Sequence, residues 1–121
     1  GAFQATEVVK RENEHDKELR RLLNEGSVKE FIKRAIKYKK NIVISGGTST
    51  GKTTFMNAAL KEIPPTERLI TAEDAREVDI NHIPNRVHLL ASRGGQGLAK
   101  VTTQDLIEAC LRLRPDRIIV G

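Results

Sequence analysis

Aromatic residues are scarce in this chain, which has three phenylalanines, one tyrosine and no tryptophan among its 121 residues. A folded core must therefore consist mainly of aliphatic side chains. The single cysteine, Cys110, excludes an internal disulfide and fits a reducing cytoplasm. No apolar run reaches the length of about 18 residues that a membrane span needs, and the first residues lack the regions of a secretory signal. We therefore expect a soluble, cytoplasmic protein.

Positive charge is concentrated in the first third of the chain. Residues 1–40 contain eleven of the 21 lysines and arginines but only seven of the 16 acidic residues, so the rest of the chain is nearly balanced. A solvated helix face explains this bias, and so does binding to nucleic acid or to an anionic membrane surface. Aromatic side chains, on which bases stack in single-strand binders, are few, and nucleic acid is not the partner we expect.

Hydrophobic periodicity predicts helices that alternate with short, buried strands. The helices are predicted over 12–25, 27–39, 52–62 and 102–114, and the strands over 42–44, 68–72, 86–91 and 117–120. Ser27 and Thr102 each precede an acidic residue by three positions, which predicts a capping box at the start of two helices. Apolar strands separated by helices favour an α/β fold with a mostly parallel sheet flanked by helices, whose ligands bind at the carboxyl ends of the strands.

The stretch from Gly46 to Thr53 matches the phosphate-loop pattern, also called Walker A: a glycine, four residues, then Gly51, Lys52 and Thr53. Glycines allow backbone turns in which successive amides point at phosphate oxygens, and the following helix adds its free N-terminal amides. Lys52 is expected to reach the β- and γ-phosphates of ATP, and the Thr53 hydroxyl to bind Mg²⁺. The predicted nucleotide-binding residues are Gly46, Gly47, Thr48, Ser49, Thr50, Gly51, Lys52, Thr53 and Thr54.

Two acidic residues, Glu73 and Asp74, follow a predicted strand directly. In a parallel sheet they would lie at the same edge as the phosphate loop, where carboxylates can orient the attacking water. We predict that Lys52, Glu73 and Asp74 are the catalytic residues. An ordinary role for the two acids, as a helix cap or as solvated loop residues, explains the sequence equally well.

Other residue types give weaker signals. The glycine-rich segment 92–100 is either a loop at a ligand or subunit contact or a simple turn. Some arginines are candidates for stabilising phosphate charge, although isolated arginines are usually surface residues. The histidines have no metal-ligand spacing, and Cys110 lies on an apolar helix face, so these are expected to be structural. The arginines are Arg93, Arg112, Arg114 and Arg117, and the histidines are His15, His82 and His88.

Three segments in order, "GGTSTGKTTFMNAAL", "RLITAEDARE" and "NRVHLLASRGGQGLAKVTTQDLIEACLRLRPDRIIVG", resemble the traffic ATPases of bacterial type IV secretion systems, within the type II/IV secretion ATPase family. The resemblance implies a RecA-like P-loop NTPase core in a homo-hexamer. Such rings act with other secretion components at the cytoplasmic face of the inner membrane, as peripheral proteins that drive pilus assembly and substrate transfer. Glu73 and Asp74 match the family's "Asp box", and "RPDRIIVG" matches its Walker B strand.

The chain also departs from the family pattern. The family has a glutamate after the glycine that matches Gly121, a histidine motif further on and a separate N-terminal domain. We therefore expect a portion of a longer protein, with linker helices over 1–40 and the N-terminal part of the ATPase domain over 41–121, incomplete at its C-terminal end. The portion is expected to bind ATP and Mg²⁺ without hydrolysing ATP. The alternatives are a non-catalytic assembly module and a fragment of a nucleic-acid motor.

Overall fold

The computed structural model describes residues 12–47, 50–92 and 100–121. Its helices within these ranges are α1 (Glu14–Asn24), α2 (Val28–Lys37), α3 (Lys52–Leu60) and α4 (Thr103–Cys110), and its strands are β1 (Leu69–Glu73), β2 (Arg86–Leu90) and β3 (Arg117–Val120). All four predicted helices are present, although α4 ends four residues before its predicted end at Arg114. None of the described helices is both long and apolar enough to cross a membrane.

The three strands form a parallel sheet in the order β2-β1-β3. Leu69 lies opposite Arg86 on one side and Arg117 on the other, so both outer strands start level with the central one. β1 is buried along its whole length, including the polar side chains of Thr71 and Glu73, as expected for a strand covered on both faces. The predicted α/β class with a parallel sheet is therefore confirmed.

Each face of the sheet packs against helices through an aliphatic cluster. On one face, Leu69 of β1 meets Ile36 of α2 and Leu60 of α3. On the other, Ala72 packs against Leu106 of α4. These contacts fix α3 on one side of the sheet and α4 on the other, and both helices begin near the carboxyl ends of the strands.

Helices α1 and α2 form a pair joined by a tight turn at Gly26, which has the left-handed φ of 77°. The Ser27 amide donates to the carbonyl of Leu22 at 2.9 Å, and the Gly26 amide donates to that of Leu23 at 3.1 Å, the bonds of a Schellman C-cap. The predicted capping box at Ser27 is wrong, because its side chain makes no hydrogen bond at the start of α2. The turn already fixes the Ser27 backbone, so the hydroxyl is not needed there.

Several of the N-terminal basic residues pair with acidic residues of the same region. Arg34 lies 2.8 Å from Glu18, and Lys40 lies 2.6 Å from Asp16. These contacts hold α2 against α1 and place Lys40 directly before the phosphate-loop segment. They account for part of the local positive charge without a polyanionic ligand.

The predicted strand at 42–44 is wrong: the structure assigns no strand there. Val43 is 91% exposed, although its β-branched side chain and apolar neighbours had predicted burial. A strand needs a neighbour for its backbone hydrogen bonds. Beside this run lies instead a cavity of about 1100 Å³, bounded by α2, α3 and β3. Among the described residues, no strand lies next to residues 42–44 to pair with them. The apolar pattern of the run could not predict this.

Candidate functional site

Within the predicted phosphate loop, Gly51 has a backbone conformation that favours glycine. Gly51 adopts the left-handed conformation, with φ 77° and ψ 16°, and it is the N-cap of α3. Lys52 is the first residue of that helix, and its side chain is exposed. The free amides of the first turn and the positive end of the helix dipole therefore lie where the loop ends. The predicted binding residues Thr48 and Ser49 lie outside the described residues.

A close approach within the loop explains the glycine at position 46. A Cβ atom there would lie 2.7 Å from the Thr50 hydroxyl oxygen. That hydroxyl donates to the carbonyl of Gly47 at 2.6 Å. Thr50 thus lies against Gly46 and Gly47, and a larger residue at 46 would have to displace the Thr50 side chain.

The start of α3 is joined to the loop that follows β1 through Glu77. The Thr53 hydroxyl donates to Glu77 Oε2 at 3.4 Å, and Asn57 Nδ2 donates to the Glu77 carbonyl at 3.1 Å. Asp79 donates its amide to Asn57 Oδ1 at 2.9 Å. The predicted metal ligand Thr53 therefore faces a carboxylate to which the sequence had assigned no role. The only sequence signal was its position, four residues after Glu73.

Glu73 is held in a single orientation at the end of β1. It is 2% exposed, and its Oε2 accepts the amides of Glu77 at 3.0 Å and Val78 at 3.1 Å. Its Oε1 is buried and has no hydrogen-bond partner among the residues that the structure describes. One oxygen is thus anchored to the following loop, and the other remains able to accept a proton or a hydrogen bond.

Asp74, the second predicted acid, lies on the side of α4. Its side chain is exposed, and its Oδ1 accepts a hydrogen bond from the Thr103 hydroxyl at 3.3 Å. The two neighbouring acids therefore face different helices. The structure joins the acidic loop to the phosphate-loop helix through Glu77 rather than through Asp74, and the catalytic role of Asp74 stays a prediction.

Two of the residues expected to be structural have contacts that fit this expectation. A ring nitrogen of His82 bonds to the carbonyl of Ile63 at 3.1 Å. Cys110 is fully buried, and this burial raises the pKa of its thiol. His88 is different: its Nδ1 contacts the Thr71 hydroxyl at 2.8 Å, but its buried Nε2 has no hydrogen-bond partner within the described part of the chain. Burial, followed by the charge of Arg76, lowers the pKa of His88 below its ordinary value.

The candidate arginines contribute little to the described site. Arg117 is held by both carboxylate oxygens of Glu67, at 2.7 and 3.1 Å, and it also bonds the Ile36 carbonyl at 2.5 Å. Its role is to tie β3 to α2 and to the loop before β1. Arg112 and Arg114 are exposed. Arg93 and most of the glycine-rich segment lie outside the described residues.

The residues present fit a magnesium nucleotide. No group of three His, Cys, Asp or Glu side chains within the described ranges could hold a metal by itself. Mg²⁺ in nucleotide sites typically takes one or two protein oxygens and completes its shell with phosphate oxygens and water. The Thr53 hydroxyl suits that use, and the glycines with the α3 N-terminus suit phosphate. The arrangement can therefore hold a charged phosphate chain beside buried and exposed carboxylates.

Comparison with protein families gives a match over residues 7–121 to the family described as "Type II/IV secretion system protein". A type IV secretion system protein VirB11 from Bartonella quintana is 47% identical over 90 residues, which are 74% of this chain and 25% of that protein. A protein VirB11 from Rhizobium radiobacter is 39% identical over 112 residues, 93% of this chain and 32% of that protein.

A solved structure has the same fold. It is the crystal structure of the VirB11 ATPase from the Brucella suis type IV secretion system in complex with sulphate, and it matches with a TM-score of 0.82 and 36% identity. The match covers 98% of this chain and 34% of that one. The chain thus spans about a quarter to a third of the length of the relatives it matches.

Proposed function

Because the chain belongs to the family of type II/IV secretion system proteins, we propose that it is the nucleotide-binding part of an ATPase that powers type IV secretion. The ligand is ATP with Mg²⁺. In the longer protein, we propose a hexameric ring at the cytoplasmic face of the inner membrane that couples hydrolysis to pilus assembly and substrate transfer. The names of the relatives support the secretion role, whereas the ring and the coupling rest on the family resemblance.

The contact between Thr53 and Glu77 is the observation that carries this proposal. The sequence pattern alone predicts phosphate binding, which many unrelated proteins share. In the structure, Thr53, the proposed metal ligand, faces a carboxylate from the loop after β1, and the same loop anchors the buried Glu73. A phosphate cradle and an acidic loop in contact are what phosphoryl transfer to water needs.

Each residue of the site has a distinct task in this proposal. Lys52 and the α3 amides bind the phosphates and offset their charge. Mg²⁺, when bound, neutralises the charge that develops on the phosphate oxygens, with Thr53 as its protein ligand. The free Oε1 of Glu73 orients a water molecule or accepts its proton. Burial of Glu73 keeps bulk water away from that oxygen.

Replacement of Thr53 tests whether the loop binds the nucleotide together with its metal. Thr53→Val keeps the shape of the side chain and removes the hydroxyl, so we expect affinity for Mg²⁺-ATP to fall at least about tenfold, as for other contacts to charged groups. Affinity for ATP in excess EDTA should change little, since Thr53 has no assigned contact with phosphate. Calorimetric titration of the purified chain under both conditions measures this difference.

Thr53→Ser is the matched control because it keeps the hydroxyl. Its affinity for Mg²⁺-ATP should stay within about threefold of the original protein. Equal affinity of the valine and serine variants for Mg²⁺-ATP would show that Thr53 does not serve the metal. The proposed site would then have to be abandoned in this form.

A further inference from the structure

Two buried side-chain polar atoms in the described ranges have no hydrogen-bond partner, and they are Glu73 Oε1 and His88 Nε2. Both residues lie on neighbouring strands. Thr71 is level with His88 in the register of β1 and β2, and Glu73 is two residues beyond Thr71. Residues level with one another, or two apart, share a face of a sheet, so both side chains stand on the same face. A shared cause for the two unpartnered atoms is therefore the simplest explanation.

The chemistry of the two atoms is complementary. Glu73 Oε2 already accepts two amides, and Oε1 is a further acceptor. The Thr71 hydroxyl lies 2.8 Å from His88 Nδ1. When this hydroxyl donates to Nδ1, the neutral ring carries its proton on Nε2 and becomes a donor there. The opposite tautomer would leave Nε2 as a second bare acceptor in a buried region that already holds a carboxylate oxygen.

Gly121 lies beside the anchored oxygen of the Glu73 carboxylate. A Cβ atom built on Gly121, just after β3, would have Glu73 Cγ at 2.9 Å, Oε2 at 3.1 Å and Cδ at 3.4 Å as its nearest neighbours. Oε1 is thus the carboxylate oxygen farther from this edge. Because β1 lies between β3 and β2, His88 is on the opposite side of Glu73 from Gly121.

The spacing between the two residues suits a single bridging water. Glu73 and His88 are offset by two positions along their strands, about 6.6 Å, and the strands lie about 4.8 Å apart, so their Cα atoms are roughly 8 Å from each other and the side chains extend into the space between them. One water molecule joins two polar atoms that lie roughly 5.5 Å apart, at about 2.8 Å from each. Buried waters occur where two or more polar groups would otherwise lack a partner.

We propose that His88 is a positioning residue for Glu73, and that its Nε2–H holds Oε1 of the carboxylate through one buried water. This inference deepens the proposed function and rests on it for the catalytic meaning of Glu73. The three residues Thr71, His88 and Glu73 form a polar row on the face of the sheet that also carries α3. Through this row, β2 contributes to the orientation of a carboxylate on β1.

The charges around His88 predict the direction in which its pKa changes when Glu73 is replaced. Burial lowers the pKa of His88, the cations Arg76 and Arg86 lower it further, and the carboxylate of Glu73 opposes them. Removing the Glu73 charge with Glu73→Gln should therefore lower the pKa of His88 further. Asp79→Asn is the matched control, because Asp79 is exposed and is not among the groups that act on His88.

The experiment is an NMR titration of the chain with ¹⁵N-labelled histidine and no nucleotide. We expect the neutral His88 ring to be the Nε2–H tautomer, and its titration midpoint to fall in Glu73→Gln but not in Asp79→Asn. The Nδ1–H tautomer in the original protein, or equal midpoints in the two variants, would overturn the proposal. The tautomer is read from the unmodified chain and remains decisive if Glu73→Gln does not fold. Because no nucleotide is present, failure here is distinct from failure of ATP binding.

Discussion

At the scale of single residues, the surroundings of the Glu73 side chain hold it in one orientation. Two amides hold one oxygen, and the missing side chain of Gly121 leaves room for its aliphatic part. A carboxylate fixed in this way loses little freedom when it meets a ligand, and such preorganisation is what catalytic groups need. We therefore expect Gly121 to affect the orientation of Glu73, because the absence of a side chain at 121 leaves space for Glu73.

Adding a methyl group at position 121 tests this confinement. Gly121→Ala should push the Glu73 side chain aside and release the amides of Glu77 and Val78. Since hydrogen bonds to charged acceptors contribute about 1.5–3 kcal/mol, these two amides should exchange with solvent roughly 10 to 100 times faster. Hydrogen-exchange NMR measures each amide separately.

Two controls make that measurement specific. The amide of Ala91, which donates to the backbone carbonyl of Glu73 at 2.9 Å, should keep its protection. Val120→Ala, a change in the neighbouring strand residue, should leave the amides of Glu77 and Val78 protected. Faster exchange at all of these amides in Gly121→Ala would indicate general destabilisation and contradict a specific effect on Glu73.

Single-residue roles could be predicted from the sequence only where the backbone itself imposes them. The spacing of Gly46, Gly51 and Lys52 predicted a phosphate loop, and the structure has a crowded backbone at Gly46 and a left-handed one at Gly51, where glycine is favoured. Glu77 and His88 carried no such local signal. Their contacts arise from how α3 packs on the following loop and from the register of β1 with β2, and both are tertiary properties.

At the scale of elements, the two predicted capping boxes had different outcomes. Thr102 accepts the Asp105 amide at 3.2 Å, and the Asp105 side chain accepts the Thr102 amide at 2.9 Å. Hydrogen bonds from Thr102 lower the pKa of the Asp105 carboxyl. At Ser27 the preceding turn fixes the backbone and the box does not form. The same sequence pattern therefore has a structural consequence only where the chain enters its helix in an extended conformation.

This difference predicts unequal effects of two alanine substitutions. Thr102→Ala should lower the free energy of unfolding by about 1 kcal/mol, because it removes a formed N-cap from α4. Ser27→Ala should change it by no more than about 0.5 kcal/mol, as for other surface positions without a specific contact. Urea denaturation of both variants measures the difference, and an equal loss in the two would contradict the assigned caps.

The strands show where an apolar pattern is sufficient and where it is not. β1, predicted as a strand over 68–72, is buried between two partner strands. The run at 42–44 is wholly apolar and β-branched, yet it lies beside a cavity and forms no strand. Apolar side chains favour burial, whereas a strand also needs a neighbouring strand to which its backbone amides and carbonyls can hydrogen-bond. The sequence of the run itself carries no information about that neighbour.

At the scale of the whole molecule, the chain combines an α/β core with a paired helix segment at its N-terminal side. Ile36 of α2 packs in the same cluster as Leu60 and Leu69, so α2 contributes to the core of the sheet. The proposed division into linker helices and ATPase domain near residue 40 stays a prediction. The assembly-module hypothesis also stays a prediction, and exposed apolar residues such as Val43 and Leu111 are compatible with it.

The central claim is that this chain binds Mg²⁺-ATP through its phosphate loop, and titration calorimetry with Lys52→Ala tests it most directly. Lys61→Ala is the matched control, since Lys61 is exposed at the opposite end of α3. We expect binding by the original chain and by Lys61→Ala, and an affinity roughly 10 to 100 times weaker in Lys52→Ala, as for loss of a charge-assisted contact. Equal affinities in Lys52→Ala and Lys61→Ala, or no binding by the original chain, would contradict the central claim.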